Sequence, residues 1–430
     1  MSTEERTAYC RQSYRQVAEL ALEIGDIMLS HGAETSRVED TICRILRTTG
    51  FARAEAYVSL TGIILCLDDP SLNDSLTQVL RVSQRSNNLG RISSANAVSR
   101  RFVAGELTVE DALAEAHAIR TQTLYSMWLS LLCLPMIAAS FTFMFRGSPR
   151  DAAAAFLIGF PVALVRMGLL RLRLLQQVQD FLCAAFLGLA TLVFVTWIPL
   201  GEHLQPILAG SIMILVPGLP LTVSFRDLIH GDYISGVARL MEAAITALCV
   251  AAGVGIVIRL YTLTAGPVIE ADPTPWIPFG QDWLLPPPVW FEAFCSCLAS
   301  VFFCIVFDTE RRHLFWCGVA GAIPWFVYRA VELYLPGIIP CNFLAALVAS
   351  VMAYTLARRH KAPVTIFFTA GIFCLVPGYK FYQTMFYFLS ENVTLGVETL
   401  LSAIGIAVLI AVAMAVHSSV WTLCKRQRNR

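Results

Sequence analysis

The chain has 430 residues, of which 56% are hydrophobic and only 15% are charged, and its mean hydropathy is +0.63. Soluble domains usually carry about a quarter charged residues, so this composition indicates a polytopic membrane protein and excludes an ordinary soluble one. The formal net charge of +1, without a basic patch interleaved with aromatic residues, argues against a nucleic-acid partner.

Charged residues are concentrated at the N-terminal end of the chain. Residues 1–122 hold 29 of the 63 charged side chains, and they begin without the basic start and short apolar core of a cleaved signal peptide. Two helical patterns, strand-like runs at 57–67 and 76–82 and two further helical patterns follow one another. We therefore expect residues 1–122 to form a soluble α/β domain in the cytoplasm.

A polar motif lies between the first two predicted helices of this domain. Its candidate functional residues are His31, Glu34, Arg37, Glu39 and Asp40. One interpretation is a membrane-tethered enzyme whose site includes His31 and Glu34. The favoured interpretation is structural, because Gly32 suits the end of the first helix and Ser36 with Glu39 has capping-box spacing at the start of the second.

Signatures of catalysis and of metal binding are missing from the sequence. It contains no G-x-S-x-G, Walker or H-E-x-x-H motif, so we predict no catalytic residues and no ATP-driven pump. The 13 cysteines are scattered through apolar stretches without zinc spacing. We expect no metal and no cofactor, and most cysteines should be buried free thiols.

Ten hydrophobic stretches follow, each close to the roughly 20 apolar residues that cross a bilayer as a helix. They lie near 123–145, 152–170, 180–199, 206–225, 237–261, 288–307, 314–333, 341–357, 363–386 and 396–422. The fold class that they predict is a polytopic α-helical membrane protein. Its parts would be a first membrane repeat at 123–262, an extracytoplasmic linker at 263–287, a second membrane repeat at 288–424 and a basic cytoplasmic tail at 425–430.

The two predicted membrane parts contain the same unusual sequence. Leu215-Val216-Pro217-Gly218 reappears 160 positions later as Leu375-Val376-Pro377-Gly378, each time inside a long apolar stretch. A repeat of this kind indicates duplication. Because each copy has an odd number of spans, the copies enter the membrane in opposite directions, which predicts two five-helix inverted repeats.

Charge bias sets the expected orientation. Lys and Arg cluster on the loops that this count places in the cytoplasm, whereas the linker at 263–287 contains neither. Both termini are therefore expected in the cytoplasm, with the chain in the cell membrane. Arg166 and Arg329 repeat at an offset of 163 positions and are expected to snorkel to the nearer interface.

The repeated interruptions are the main candidates for a substrate site. Pro217 with Gly218, and Pro377 with Gly378, would break two membrane helices and expose backbone groups, each costing several kcal/mol unless shielded from lipid. The half-helix that follows each break presents free N–H groups and a positive dipole end, which suit a carboxylate. The alternative is a pair of plain proline kinks.

Ionisable residues near the breaks are further candidates for the transport pathway. They are Asp227, Arg239 and Glu242 after the first break and Lys380 after the second. An ionisable side chain inside a span costs at least about 2.5 kcal/mol, so Arg239 and Glu242 are expected to pair or to face the pathway. The alternatives are a structural ion pair between these two, a solvated loop position for Asp227 and a structural role for Lys380.

Two substrate classes would use these charges differently. A zwitterionic amino acid needs an acceptor for its ammonium group, for which Asp227 or Glu242 is a candidate. A dicarboxylate needs two cationic sites, for which Arg239 and Lys380 are candidates. The sequence contains both sets and leaves the choice open.

Over nearly its whole length the chain resembles the threonine/serine exporter family, which is related to split two-subunit succinate exporters. The resemblance is carried by His31-Gly32-Ala33-Glu34-Thr35, by Arg37-Val38-Glu39-Asp40, by the run from Val216-Pro217-Gly218 through Arg226-Asp227-Leu228 to Arg239 and Glu242, and by Val376-Pro377-Gly378. It implies a cytoplasmic N-terminal domain joined to ten spans, and export driven by the proton gradient.

The leading expectation is a proton-coupled secondary transporter that exports small amino acids of the threonine and serine type. Its partners would be a small carboxylate-bearing metabolite, protons and the lipid bilayer, and a homo-oligomer is left open. The first alternative is a dicarboxylate exporter of the succinate type. Alternatives of other classes are the membrane-tethered enzyme and a sensory or scaffolding domain on passive spans.

Overall fold

The computed structural model of this chain describes residues 3–69, 74–83, 86–172, 174–198, 200–265, 288–389 and 392–428. Within these ranges the chain forms 16 helices and one three-stranded sheet. Residues 3–121 contain α1 (Thr3–Ser30), α2 (Thr35–Arg47), β1 (Arg53–Ser59), β2 (Gly62–Asp69), β3 (Asp74–Arg81), α3 (Leu89–Val103) and α4 (Val109–Thr121).

The sheet is an antiparallel meander in the order β1-β2-β3. Along β2 the buried side chains are Ile63, Leu65 and Leu67, whereas Ile64 is exposed. This alternation places one face of β2 in the same apolar core as α1 and α2, since successive side chains of a strand point to opposite faces.

The first predicted strand is wrong in one respect. The run at 57–67 is not one strand, because the chain turns back at residues 60 and 61 and Ser59 pairs with Gly62 across a two-residue turn. Apolar residues lie on both sides of the turn, at Tyr57, Val58 and Leu60 before it and from Ile63 to Leu65 after it, so hydrophobicity does not mark it. The predicted turn at Asp68-Asp69-Pro70 falls partly outside the described residues.

The structural interpretation of the polar motif is confirmed at one end and wrong at the other. Gly32 follows α1 with a φ of +97°, a left-handed conformation that favours glycine. The expected capping box does not form, because Glu34 is the N-cap residue of α2 and makes no side-chain cap bond. Glu39 instead accepts a hydrogen bond from the backbone N–H of Val58 at 2.8 Å, which ties α2 to β1.

Twelve helices follow, and they carry most of the apolar sequence. They are α5 (Met127–Met144), α6 (Pro149–Arg171), α7 (Gln176–Thr196), α8 (Leu204–Ile212), α9 (Gly218–His230), α10 (Tyr233–Ala265), α11 (Val289–Val306), α12 (Arg311–Tyr334), α13 (Ile338–His360), α14 (Val364–Ile372), α15 (Gly378–Leu389) and α16 (Val393–Arg428). Among the described residues, eight of them are long and apolar enough to cross a membrane. The chain is therefore a multi-pass helical membrane protein.

The four shorter helices form two consecutive pairs, α8 with α9 and α14 with α15, at the predicted spans 206–225 and 363–386. Both predicted interruptions are therefore confirmed as breaks in the helix. Two helices extend beyond the predicted spans, because α10 begins at Tyr233 and α16 continues to Arg428. The predicted linker overlaps the end of α10 at residues 263–265, and the rest of it, 266–287, lies outside the described residues.

The two interrupted pairs lie where the membrane helices come together. α9 packs against α10 and α16, and α15 packs against the same two long helices. α5 packs against α11, so the two sets of membrane helices also meet through their first members. This arrangement brings the two breaks to one place.

Eleven cysteines among the described residues are free, and six of them are buried. This agrees with their expected role as small apolar side chains.

Candidate functional site

The two breaks have the same local geometry. In the first, the N–H groups of Leu215 and Val216 both bond to the carbonyl of Ile212, at 2.8 and 3.1 Å. In the second, the N–H groups of Leu375 and Val376 bond to the carbonyl of Ile372, at 2.8 and 3.0 Å. The repeated sequence therefore ends each first half-helix with a tightened turn and shields the backbone groups that the break would expose.

Each second half-helix restarts at the proline. The carbonyl of Pro217 accepts from the N–H of Leu221 at 3.3 Å, and the carbonyl of Pro377 accepts from the N–H of Phe381 at 3.2 Å. Proline suits the start of a helix because its missing N–H is not needed there.

The breaks touch each other. A Cβ atom placed on Gly378 would lie 3.0 Å from Cγ1 of Val216 and 3.4 Å from Sδ of Met213. A side chain at this position would force Val216 to shift, so glycine favours the close approach. The breaks are thus adjacent rather than far apart.

A cavity of about 430 Å³ opens beside this contact. Its size falls within the range of about 300–1,000 Å³ that is usual for small-molecule sites. Both breaks contribute to its wall, through residues 213–217 and through Val376 and Gly378. The polar side chains that line it are Asn87, Ser130, Arg166, Gln176, Asp180, Glu242 and Thr246.

Asp180 is the feature of this cavity that the sequence analysis missed. It lies on α7, its side chain is buried with 8% of the residue exposed, and its Oδ2 accepts no hydrogen bond from the described residues. Arg166, on α6, interacts electrostatically with it. A carboxylate within an apolar stretch is a functional-site hypothesis by default, and that signal was present in the sequence.

The predicted pathway residues separate into two groups. Glu242 lines the cavity, together with Pro217 and Gly378. Gly218 begins α9 and Pro377 directly precedes α15, next to the cavity wall. Binding of a substrate by these residues stays a prediction.

Arg239 and Asp227 form a buried ion pair, with Nε and Oδ2 3.1 Å apart. The expectation of a solvated loop position for Asp227 is wrong, because Asp227 lies within α9 and is 2% exposed. Arg239 also donates from Nη2 to the carbonyl of Ala33 at 2.9 Å. Its guanidinium is thus directed to α9 and to the N-terminal part of the chain, outside the cavity wall.

One of the remaining basic residues differs from expectation. Arg329 does not snorkel, because it is buried and pairs with Glu332 and with Glu292, whose Oε2 is 2.7 Å from Nε. Arg166 is half-buried and lines the cavity. Lys380 lies in the first turn of α15, outside the lining residues.

The polar motif of the N-terminal part contacts the membrane helices. Glu34 forms an ion pair with Arg226 of α9. Thr35 donates to Oδ2 of Asp232 at 2.9 Å, and Arg37 donates from Nη1 to Oγ1 of Thr365 at 3.1 Å. Residues 33–37 therefore form a docking surface on α9, α10 and α14.

His31 is used in the same structural way. Arg91 has only donors, so its Nη1 donates to Nε2 of His31 at 2.8 Å, and the Nδ1–H of His31 donates to the carbonyl of Ile27 at 2.6 Å. Burial lowers the pKa of His31, which favours this neutral tautomer.

Glu39 and Asp40 also have structural partners. Burial raises the pKa of the Glu39 carboxyl, which accepts from the N–H of Val58. Asp40 forms an exposed ion pair with Arg44 at 2.6 Å. Each of these motif residues therefore has a structural partner, which agrees with a docking role.

A second docking contact joins the start of α3 to the turn between α11 and α12. The N–H of Leu89 bonds to the carbonyl of Phe307 at 2.8 Å, and Nδ2 of Asn88 donates to Oδ2 of Asp308 at 3.1 Å. Gly90 is required here, because a Cβ atom at this position would lie 2.1 Å from the carbonyl oxygen of Asp308.

Comparisons with known proteins agree with this architecture. Residues 19–261 match the family described as "Putative threonine/serine exporter", and residues 292–420 match the family described as "Threonine/Serine exporter, ThrE". No solved structure matches the chain.

Three relatives illustrate the range of similarity. A probable threonine/serine exporter of Mycobacterium tuberculosis is 24% identical over 87% of this chain and 70% of its own length. A threonine/serine exporter of Corynebacterium glutamicum is 24% identical over 94% of this chain and 81% of its own length. A probable succinate transporter subunit of Escherichia coli, YjjP, is 24% identical over 59% of this chain and 97% of its own length.

The first family match alone covers more than half of the chain, and the second extends the similarity through the later membrane helices. The chain therefore belongs to the threonine/serine exporter family, in the form that joins both halves in one polypeptide.

Proposed function

We propose that this chain is a proton-coupled secondary transporter that exports small amino acids of the threonine and serine type across the cytoplasmic membrane. The observation that carries the proposal is the cavity at the point where the two breaks touch. Paired, interrupted helices at corresponding positions of two repeats are typical of substrate sites in secondary transporters. The printed names of the mycobacterial and corynebacterial relatives support the substrate class.

In this proposal each interrupted pair counts as one span, which gives ten spans in two inverted five-helix repeats. The packing supports two equivalent repeats, because α9 and α15 each contact both α10 and α16. Residues 1–122 would form the cytoplasmic domain, so that both termini face the cytoplasm. The membrane parts would be 123–262 and 288–424.

The breaks offer a carboxylate a favourable electrostatic environment. α9 begins at Gly218 and α15 begins at Gly378, so two helix N-termini lie beside the same cavity. Free N–H groups and the positive end of each helix dipole stabilise a negative group there. Both substrate classes carry such a group, so this feature does not separate them.

The charges on the cavity wall favour an amino acid over a dicarboxylate. Among the described residues, the wall contains one guanidinium, Arg166, and two carboxylates, Asp180 and Glu242. A dicarboxylate would bring two more negative charges to this wall, whereas a zwitterion brings one charge of each sign. Arg239 and Lys380, the expected dicarboxylate ligands, lie outside the lining residues.

Counterflow in proteoliposomes tests this choice directly. Vesicles loaded with unlabelled L-threonine are expected to accumulate labelled L-threonine, and an excess of external L-serine is expected to suppress the signal. External succinate should leave it unchanged. Exchange of succinate without exchange of threonine would support the dicarboxylate alternative instead.

Glu242 is the proposed carrier of the coupled proton, because it is a half-buried carboxylate on the cavity wall beside the first break. Glu242→Gln is expected to abolish export driven by a pH gradient while threonine counterflow persists, since exchange needs no net proton movement. The exposed Glu110→Gln makes the same chemical change outside the membrane helices and serves as control. Gradient-driven export that is unchanged in Glu242→Gln would remove Glu242 from the mechanism.

A further inference from the structure

Asp180 and Arg166 form an incomplete arrangement of opposite charges. Both side chains line the cavity and they attract each other electrostatically. Within the described part of the chain, however, no direct ion pair joins them, and Oδ2 of Asp180 accepts no hydrogen bond. A buried carboxylate oxygen without a donor carries a high desolvation cost, so the site lacks a cationic or hydrogen-bonding partner.

Other helices that pack on α7 do not supply this partner. Among the described residues, titratable groups that interact with Asp180 include Arg166 on α6, Cys183 on α7 itself and Cys249 on α10. Neither thiol is a cation. α8, which also packs on α7, contains no titratable side chain between Leu204 and Ile212.

We propose that Arg166 and Asp180 together recognise the two charged groups of an α-amino acid, with Arg166 binding the carboxylate and Asp180 binding the ammonium group. An α-amino acid carries its two charged groups on the same carbon atom, so one molecule can bridge a guanidinium and a carboxylate that do not form an ion pair with each other. The ammonium group donates up to three hydrogen bonds and supplies the missing donor at Oδ2. The guanidinium suits a carboxylate because it presents paired N–H donors in one plane.

This assignment separates the roles of the two carboxylates on the wall. Asp180 is nine-tenths buried and interacts electrostatically with Arg166, so it selects the substrate, whereas Glu242 on α10 is half-buried and carries the proton. The inference rests on the proposed function, because it specifies how the same cavity distinguishes a zwitterion from an anion. It predicts that a compound lacking either charged group binds poorly.

Two analogues of L-threonine test each charged group separately. 3-Hydroxybutyrate lacks the ammonium group, and L-threoninol lacks the carboxylate. In wild-type proteoliposomes each is expected to compete with labelled L-threonine at least about tenfold more weakly than unlabelled L-threonine does, since a charged hydrogen bond is lost. Competition by 3-hydroxybutyrate equal to that of threonine would overturn the inference without any variant.

The two variants should give mirror-image patterns. Asp180→Asn is expected to weaken the binding of L-threonine and L-threoninol by about tenfold to a hundredfold. The binding of 3-hydroxybutyrate should be unchanged or stronger. Arg166→Gln is expected to weaken the binding of L-threonine and 3-hydroxybutyrate and to leave the binding of L-threoninol unchanged. Asp180→Glu should retain the wild-type order of the three compounds, and the exposed Asp111→Asn is the matched control.

The outcomes separate the inference from the proposed function. Equal weakening of all three compounds in Asp180→Asn would show a structural role only, and unchanged threonine affinity would show that Asp180 does not contact the substrate. Either result overturns the inference while wild-type threonine counterflow still supports the proposed function. Absence of threonine counterflow in the wild type would overturn both.

Discussion

Arg226→Met is expected to destabilise the docked N-terminal part by about 3–5 kcal/mol, because it leaves Glu34 charged and buried without its partner. The side chains of Arg226 and Glu34 are only 14% and 10% exposed. The effect should appear as a lower midpoint of thermal unfolding in detergent and as faster amide hydrogen exchange in residues 31–38. Glu34 is also the N-cap residue of α2, so its loss of a partner affects the docking surface formed by residues 33–37.

A double-mutant cycle provides the control for this prediction. Glu34→Gln combined with Arg226→Met removes both charges and should recover most of the stability that Arg226→Met loses. The exposed pair Arg44–Asp40 is a matched comparison, because its side chains are 58% and 54% exposed. Arg44→Met should change stability by less than about 1 kcal/mol. Equal effects of Arg226→Met and Arg44→Met would show that the buried Glu34–Arg226 pair contributes no more to stability than an exposed pair.

Gly378→Leu is expected to lower the initial rate of threonine counterflow at least about tenfold. A Cβ atom at this position already lies 3.0 Å from Val216, so the rest of a leucine side chain must push the two breaks apart or fill the cavity. Displacements near 1 Å can cost about a hundredfold where groups must be held in position. Gly378→Ala should give an intermediate rate, because Cγ1 of Val216 has to move only slightly.

Gly405→Leu is the matched control for this substitution. Gly405 lies in α16, and a Cβ atom placed on it meets no described atom within 4 Å. Its leucine variant should transport at close to the wild-type rate. A Gly378→Leu variant that folds and transports like Gly405→Leu would show that contact between the breaks is unnecessary for transport.

Hydrophobic length and the repeated interruptions were predictable because both are local properties of the chain. A stretch of apolar residues must form a helix in lipid, and Pro217 with Gly218 disrupts that helix wherever its partners lie. The turn between Ser59 and Gly62 was not predictable in this way. Apolar residues continue on both sides of it, so periodicity alone does not mark it.

The partners of charged residues depended on tertiary structure. Arg239 and Glu242 are three positions apart, which suggested a shared role, yet the partner of Arg239 is Asp227, which lies twelve positions earlier on another helix. Glu34 and Arg226 are separated by 192 positions. Asp180 could have been singled out from its apolar surroundings, but its unsatisfied oxygen and its distance from any ion-pair partner became visible only when α6 and α7 were placed together.

The N-terminal part contacts membrane helices from both halves of the chain. Glu34 forms an ion pair with Arg226 of α9, and Arg37 donates a hydrogen bond to Thr365 of α14. The N–H of Leu89 bonds to the turn after α11. A tilt of α9 against α14 must therefore stretch or release one of these attachments. The N-terminal part would therefore oppose such a tilt. Weakening these attachments should make it easier for the protein to change conformation without bound substrate.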